Sequence, residues 1–360
     1  MTDILIIGGG IAGVSAAARL APHARVTVLE TETQLAYHAS GRSAAVFLEF
    51  YGNAVVRALN AASAEYLHQA NGGVTKPRDF FLLAKPEQEE SYHRQAPELG
   101  VERISFDAAH ARVPILRPET CAFVGHCHAF DVDTDLLIQN FRREALRHGA
   151  EFQTGALVTA LTRTEGRWHA ETPKGRFSCD VVINAAGAWA DQVAVMAGLA
   201  PLGLQAYRRS MARIPAPGGH DLRDWPFMDG VDDGWYAKPD AGSLVVSPQE
   251  EDPAEPHDAW ADDMVLAEGL ARYEEMVTEP VTRLEANWAG LRTFAPDRAL
   301  VIGAAPGAHG VFWLAGQGGY GFQTCAAASQ LVADLVLGRT PDLPPEIVKA
   351  LDPRRFAPAA

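Results

Sequence analysis

The sequence predicts an α/β domain that is interleaved with an α+β domain built on a large, mostly antiparallel sheet. Three observations predict this fold class. The first thirty residues read as a strand, a glycine-rich turn, a helix and a second strand. Residues 180–190 and 311–338 repeat the succession of apolar strand, glycines and helix. The runs between these segments are apolar or alternating and are interrupted by Pro, Gly and Asp, which is typical of an antiparallel sheet.

The N-terminal segment "DILIIGGGIAGVSAAARL" has the spacing of a Rossmann-type dinucleotide site. Gly8 allows a tight turn, Gly10 lets the backbone approach a pyrophosphate, and Gly13 allows the helix to pack close to the strand. The helix N-terminus that follows offers free N–H groups and a partial positive charge to phosphates. The next strand, "RVTVLE", ends on Glu30, which is placed to accept hydrogen bonds from a ribose diol.

The two later glycine segments bear on which dinucleotide binds. The chain has no second complete GxGxxG unit, which argues against separate sites for a nicotinamide and a flavin. Gly316, Gly318 and Gly319 precede a long apolar helix and can place backbone donors beside a large planar ligand. In the alternative interpretation these glycines only pack a helix onto a sheet.

Composition and charge exclude several classes of function. The net charge of -14 over 360 residues, without a dense basic patch, argues against a nucleic-acid partner. Four cysteines form no CxxC pair, and a strand begins directly after the N-terminus, so we expect a reduced, cytoplasmic protein. No apolar run reaches about 18 residues, so we expect no integral membrane segment, and peripheral contact with the inner membrane is left open.

The motifs "IIGGGIAG", "HASGRSAA", "VINAAGAWAD", "WAGLRTF" and "GQGGYGFQT", in this order over nearly the whole chain, resemble the FAD-dependent D-amino-acid oxidase superfamily. Within it the sequence looks most similar to bacterial D-arginine and D-amino-acid dehydrogenases. The resemblance implies noncovalent FAD and a discontinuous fold. We predict an FAD-binding domain of residues 1–45, 133–200 and 295–360, and a substrate-binding domain of residues 46–132 and 201–294.

The resemblance also implies which residues contact FAD. In the segment "HASGRSAAVF" the Gly-Arg-Ser turn is expected to return the chain to the cofactor, with Arg42 near the pyrophosphate and Ser43 near the flavin ring. The expected cofactor-binding residues are Gly8, Gly10, Ile11, Ala12, Gly13, Glu30, Gly41, Arg42, Ser43, Ala44, Ala45, Ala186, Gly187, Trp189, Gly316, Gly318, Gly319, Tyr320 and Gly321.

The implied activity is flavin-dependent oxidative deamination of a free D-amino acid. A hydride passes from Cα to N5 of FAD, and the imino acid is hydrolysed to a 2-oxo acid and ammonia. Arg292 and Arg209 match the arginines that clamp the substrate carboxylate, a task that suits the fixed fork of a guanidinium. Tyr236 matches the tyrosine that completes this site, and Tyr51 a tyrosine on a mobile loop. Gly319 matches the glycine whose carbonyl faces the substrate amine.

The choice of substrate side chain is less well defined. Asp79 falls near a glutamate that pairs with the guanidinium in arginine-preferring relatives, and Glu49 is a second acidic candidate. Val46 stands where those enzymes carry a histidine, so one polar group of the substrate site is missing. We therefore expect basic or large apolar D-amino acids, with either a quinone or oxygen as electron acceptor.

Other functions are weighed beside this one. The first alternative is a glycine- or sarcosine-type amine oxidase acting on a small secondary amine; some such enzymes bind the flavin through a late cysteine, but Cys325 lies in a small-residue helix where a packed thiol is expected. A remote alternative is a non-catalytic or assembly flavoprotein. His126 and His128 have no metal-site spacing, so we predict no metal.

Overall fold

The computed structural model of the chain describes residues 3–356; the outermost residues of the predicted domain ranges, 1–2 and 357–360, lie outside the description. The strands, in chain order, are β1 (Asp3–Ile7), β2 (Arg25–Leu29), β3 (Val46–Phe47), β4 (Thr75–Ala84), β5 (Glu102–Ile104), β6 (Phe123–Val132), β7 (Glu151–Gln153), β8 (Ala160–Thr164), β9 (Arg167–Thr172), β10 (Gly175–Cys179), β11 (Val181–Asn184), β12 (Gln205–Ile214), β13 (Phe227–Gly230), β14 (Tyr236–Asp240), β15 (Ser243–Ser247), β16 (Asp252–Ala254), β17 (Ala286–Phe294), β18 (Val301–Ala304) and β19 (Val311–Ala315). The α-helices are α1 (Ile11–Leu20), α2 (Ala54–Gln69), α3 (Glu89–Leu99), α4 (Phe106–Arg112), α5 (Thr134–Arg147), α6 (Ala190–Met196), α7 (Asp263–Glu275), α8 (Gly321–Val336) and α9 (Pro345–Leu351).

A six-stranded sheet forms the first half of the fold, in the order β18-β19-β11-β1-β2-β7. All neighbours are parallel except β18 and β19. Because side chains alternate along a strand, Ile4 and Ile6 of β1 pack with α1, α5 and α8, whereas Leu5 and Ile7 pack on the other face with α6 and the small sheet β8-β9-β10. This is the Rossmann-type α/β layering that the sequence predicts.

A larger mixed sheet forms the second half, in the order β16-β12-β15-β14-β13-β4-β6-β3, with β17 paired to β12 and β5 paired to β6. Every pair is antiparallel except β13 with β4. One face packs against α4 and α7, where Phe81, Met228 and Tyr273 are buried together. The opposite face, with Phe80, Phe227 and Tyr236, looks towards the six-stranded sheet and carries the site described below.

The strands of each sheet fall within the segments predicted for it, but the domain limits themselves stay a prediction. Helix α2 differs from the expectation, because Val56, Leu59 and Leu67 pack in the core around β1, α1 and α8 although residues 46–132 are predicted to belong with the large sheet. The sequence also predicts an amphipathic helix from Asp133 to His148 that ends at Gly149, and α5 agrees with it: the Asp133 carboxylate caps the helix by accepting a hydrogen bond from Leu136 N at 2.9 Å. A second helix, predicted over 258–277, is shorter in the structure and begins after Asp262.

Candidate active site

Two cavities lie between the sheets and share wall residues, among them Gly10, Arg42 and Gly187, so they form one continuous cleft. The outer cavity is lined by the glycine-rich turn and by Glu30 and Trp189. The inner cavity lies between the N-terminal ends of α1 and α8 and the large sheet. Its polar side chains include those of Tyr51, Arg209, Asp229, Asp233, Tyr236, Gln249 and Arg292.

The glycines of the first turn are required by close backbone contacts. Gly8 has φ +111°, and a Cβ there would lie 2.3 Å from the carbonyl oxygen of Ala185. A Cβ at Gly13 would lie 1.9 Å from the carbonyl oxygen of Gly8, so α1 packs on β1 only through a bare glycine. Gly8 lines the outer cavity, Gly10 lines both, and Gly13 lines neither. Gly13 therefore has the packing role that the motif predicts.

Glu30 lies at the outer end of the cleft and is 9% exposed. One carboxylate oxygen accepts a hydrogen bond from Gly9 N at 2.7 Å, and the other accepts from Glu32 N at 2.8 Å. These bonds fix the carboxylate at the end of β2, beside the first turn, where the sequence predicts a ribose contact. Ala186, Gly187 and Trp189 line the same outer cavity.

Residues 39–45 run along both cavities, and groups of the chain itself already engage the Arg42 guanidinium. It donates to the carbonyl oxygens of Ala259 and Ala289 at 2.7 and 2.9 Å and forms an ion pair with Asp258. Arg42, Ser43, Ala44 and Ala45 line the inner cavity. These bonds join residues 39–42 to β17 and to segment 258–259, and the expected pyrophosphate contact of Arg42 stays a prediction.

The second glycine turn lies between β19 and α8. Gly318 has φ +52°, and a Cβ there would lie 2.1 Å from Cε1 of Phe294. A Cβ at Gly319 would lie 3.2 Å from Cζ and Nη1 of Arg292. Gly318, Gly319 and Gly321 line the inner cavity with Ile11 and Ala12. Because Gly318 and Gly319 have no side chains, their backbone and the Arg292 guanidinium can lie side by side in the wall of the inner cavity.

Arg292 presents its guanidinium to the inner cavity. It is partly buried on β17, and within residues 3–356 no hydrogen bond or ion pair engages it. A guanidinium held away from bulk water without a carboxylate partner is poised to bind one from outside. This is the arrangement expected of a substrate clamp.

Arg209 lies on β12 and is 3% exposed. Its guanidinium donates to the carbonyl oxygen of Glu250 at 2.9 Å and lies 3.5 Å from the carboxylate of Glu251. Burial and then the like charge of Arg292 lower the pKa of Arg209. The neighbouring Arg208 faces the opposite side of the sheet and pairs with Asp252 at 2.6 Å, which follows from the alternation of side chains along a strand.

The two predicted tyrosines also line the inner cavity. Tyr236 is 4% exposed and stacks on Phe227 with ring centroids 5.1 Å apart. Tyr51 packs edge-on against Tyr320 at 5.2 Å, and burial raises the pKa of the Tyr51 hydroxyl. Each phenol hydroxyl can donate a hydrogen bond to a carboxylate.

Asp79 is not in this site, which corrects the expectation that it meets the substrate. Phe80 lines the inner cavity, so Asp79 one residue earlier on β4 points to the opposite face of the sheet. There its carboxylate pairs with Arg112 and lies 2.9 Å from His126 and 3.1 Å from His128. Asp79, His126 and His128 place possible ligand atoms within 4.8 Å of one another, a proximity that the sequence spacing does not predict.

Several other predicted residues lie outside the cavity walls. Gly41 and Gly316 line neither cavity, and Tyr320 contributes by packing against Tyr51 and Phe294. Glu49 is exposed to solvent, whereas Val46 lines the inner cavity. Cys325 is buried in α8, and burial raises its pKa to about 12, so the thiolate needed to attack a flavin is disfavoured.

Asp229 lines the inner cavity, and the sequence does not predict this position. It lies on β13 in the apolar segment "PFMDG", on the same face as Phe227. Gln249, also unpredicted, donates its amide to the Asp229 carboxylate at 2.5 Å. The sequence feature that could indicate this position is a carboxylate two residues after a buried phenylalanine in a short strand, where alternation puts both side chains on one face.

Residues 3–335 match the family described as FAD dependent oxidoreductase (DAO), and the chain belongs to this family. FAD is accordingly its cofactor. The cleft fits FAD, because the bare backbone at Gly8 and Gly10 and the fixed Glu30 carboxylate lie in one cavity and the bare backbone at Gly318 and Gly319 in the adjoining one. No helix within the described part of the chain is long and apolar enough to cross a membrane.

Similar proteins give the range of this family. Mitochondrial dimethylglycine dehydrogenase of Rattus norvegicus is 24% identical over 98% of this chain, which spans only 45% of that protein's length. N-methyl-L-tryptophan oxidase of Citrobacter koseri is 25% identical over 95% of this chain and 97% of its own. The crystal structure of glycine oxidase from Geobacillus kaustophilus superposes with a TM-score of 0.82 at 21% identity over 98% of both chains. These similarities do not support the expected closeness to D-arginine dehydrogenases.

Proposed function

We propose that the protein oxidises the carbon–nitrogen bond of an amino acid whose nitrogen is primary or N-methylated. The observation that carries the proposal is the Arg292 guanidinium, which faces the inner cavity beside Gly319 without a partner among residues 3–356. A carboxylate on this guanidinium would hold the neighbouring carbon close to the glycine wall.

The names of similar proteins favour the N-methylated donor over the D-amino acid. Dimethylglycine and N-methyl-L-tryptophan carry a methylated nitrogen, and glycine has no configuration to select. A preference for D-amino acids rests on the motif resemblance alone. The glycine- or sarcosine-type alternative is therefore the better supported form of the proposal.

Bound FAD would accept the hydride that leaves the carbon next to the nitrogen, and water would convert the imine into a carbonyl compound and ammonia or an amine. The chain's own groups bind and orient the donor. Arg292 would hold the carboxylate, with the Tyr51 and Tyr236 hydroxyls as further donors. Arg209, already bonded to Glu250, would add positive charge at the same end of the cavity.

The test is bleaching of the flavin under nitrogen, which makes the result independent of the physiological acceptor. The panel contains glycine, sarcosine, dimethylglycine, both enantiomers of representative amino acids, and amines without a carboxylate. Arg292→Met should retain FAD and lower kcat/KM for carboxylate-bearing donors by about 30-fold or more, since removing one partner of a buried charged pair costs about 2–5 kcal/mol.

Arg208→Met is the matched control, because Arg208 lies on the opposite face of β12. It should behave as the wild type. If no compound in the panel bleaches the flavin, or if Arg292→Met and Arg208→Met are equally active, the proposal is wrong. Reoxidation of the bleached protein by air or by a soluble quinone then separates an oxidase from a dehydrogenase.

A further inference from the structure

Asp229 is a carboxylate on the sheet wall of the inner cavity. It lies on β13 opposite Tyr236 of β14 and opposite Leu82 of β4 in the strand register. Phe227 shares its face and stacks with Phe80 at 5.6 Å, so the carboxylate is set in an aromatic and aliphatic surface. A charged group in such surroundings is costly unless a partner neutralises it.

Among residues 3–356, the hydrogen-bond partner of this carboxylate is a neutral amide. Gln249 Nε2 donates to it at 2.5 Å, and Gln249 is itself fixed by donating to the carbonyl oxygen of Trp235 at 2.9 Å. Within the described residues no lysine, arginine or histidine lies within 4 Å of Asp229. Burial, and then the nearby Asp233, raise the pKa of Asp229 to about 7, against the opposing effect of the Gln249 hydrogen bond and of the more distant Arg209 and Arg292 charges. The carboxylate therefore has no cation in direct contact, and a ligand could provide one.

The position of Asp229 indicates which part of a ligand it would meet. Arg292, on β17, lies against Gly319, whereas Asp229 lies on β13, another strand of the same sheet, without an ion pair to Arg292. A donor that places its carboxylate on Arg292 and its reacting carbon towards the glycine wall can extend its side chain along the sheet to Asp229. The positive charge of Arg292 would then meet the carboxylate of the ligand, and the negative charge of Asp229 would meet the end of its side chain.

We propose that Asp229 forms a subsite for a cationic side chain, so that the preferred donor is an amino acid whose side chain ends in an ammonium or guanidinium group. This proposal rests on the proposed function for the orientation of the donor. It differs from the expectation drawn from Asp79, which lies on the other face of the sheet and cannot serve this purpose.

Binding without turnover provides the first test. The FAD-loaded protein is titrated in a calorimeter with 6-aminohexanoate and with hexanoate, which share a carboxylate and differ in the terminal ammonium, and neither has an α-amine to be oxidised. Wild type should bind 6-aminohexanoate more tightly, and Asp229→Asn should remove this advantage, a loss on the order of 10- to 100-fold for a hydrogen bond to a charged group. Asn keeps an oxygen for the Gln249 amide, which favours correct folding.

Asp232→Asn is the matched control. Asp232 lies in the same β13–β14 turn, but its carboxylate accepts from Arg94 at 2.6 Å and from Gln95 at 3.0 Å and does not line the cavity. This variant should keep the wild-type preference. The flavin absorbance spectrum of each variant reports whether the cleft is intact.

The pH dependence gives an independent readout. The charged and titratable groups that face Asp229 are Asp233, Arg209, Arg292 and Tyr51, and the pKa of Asp229 is raised to about 7. At pH 6, binding of 6-aminohexanoate should release close to one proton, because the ammonium stabilises the ionised carboxylate. Hexanoate should release none from this group, and neither ligand should in Asp229→Asn.

The last test compares how fast two groups of amino acids bleach the flavin. The cationic group is lysine, ornithine and arginine, the apolar group is leucine and norleucine, and each compound is used in both configurations. Cationic donors should be preferred by the wild type and lose that preference in Asp229→Asn. Equal binding of 6-aminohexanoate and hexanoate to the wild type, or faster bleaching by leucine or sarcosine than by every cationic amino acid, would overturn the subsite. Failure of all donors, or an inert Arg292→Met change, would instead overturn the proposed function.

Discussion

Replacing Arg42 by alanine distinguishes a cofactor contact from a structural one. The sequence pattern assigns the guanidinium to the FAD pyrophosphate, whereas the structure bonds it to Ala259, Ala289 and Asp258. Those partners lie more than 200 positions away along the chain and join residues 39–42 to β17. The structure therefore predicts that Arg42→Ala destabilises the protein even when FAD is absent.

The magnitude follows from the burial of the three partners. Ala259 and Ala289 are 8% and 0% exposed, so two buried carbonyl oxygens lose their donor at a cost of about 1–3 kcal/mol each. The Asp258 side chain is 55% exposed and regains water, so its ion pair adds about 1 kcal/mol or less. We expect a loss of about 2–7 kcal/mol in the free energy of unfolding, which lowers the melting temperature by several degrees.

Thermal melts of FAD-free protein, followed by FAD titration of each variant, measure both effects. Asp258→Asn removes the ion pair alone and should shift the melting temperature much less than Arg42→Ala. The reasoning would be refuted if the FAD-free variants melted together with the wild type while only Arg42→Ala lost FAD affinity. That result would return the guanidinium to the cofactor phosphates.

Three further predictions concern the cofactor and the corrected residue. Gly318→Ala should lower the ratio of bound flavin to protein, because Gly318 has φ +52° and a Cβ there would overlap the ring of Phe294. Gly338→Ala is the control for backbone strain alone, since Gly338 has φ +67° and a Cβ there would have no atom within 4 Å. Acid precipitation should release FAD equally from wild type and Cys325→Ser, because the buried, protonated thiol disfavours a covalent bond to the flavin. Yellow colour that stays only in the wild-type pellet would show such a bond and contradict the prediction. Asp79→Asn should change kcat/KM by less than about twofold for any donor, since the carboxylate lies across the sheet from the cavity; a tenfold loss would contradict this placement.

Residues whose role depends on local sequence could be predicted. Gly8 and Gly13 make the contacts that the GxGxxG spacing implies, because a turn and the helix that follows it are close in the chain. Arg292 and Tyr236 line the inner cavity, and their substrate roles stay a prediction from the motif resemblance. Helix α5 begins and ends as its capping residue and terminal glycine indicate.

Residues whose role depends on strand register or on distant partners could not be predicted. Asp79 and Phe80 are neighbours, and an uncertainty of one residue decides which of them faces the cavity. Asp229 enters the site because β13 pairs with both β14 and β4, and its short strand has no pattern that reveals this. The Asp258 partner of Arg42 is 216 positions away, beyond any local motif.

The charges of the inner cavity together constrain its ligand more than any one residue does. Two guanidinium groups, Arg209 and Arg292, and two carboxylates, Asp229 and Asp233, line one space, yet no ion pair joins the two sets. Since opposite charges in a partly dry cavity would attract strongly at short range, their separation must be held by the sheet register and by Gln249. A ligand with a carboxylate at one end and a cation at the other would pair with both Arg292 and Asp229, whereas an uncharged amine would pair with neither.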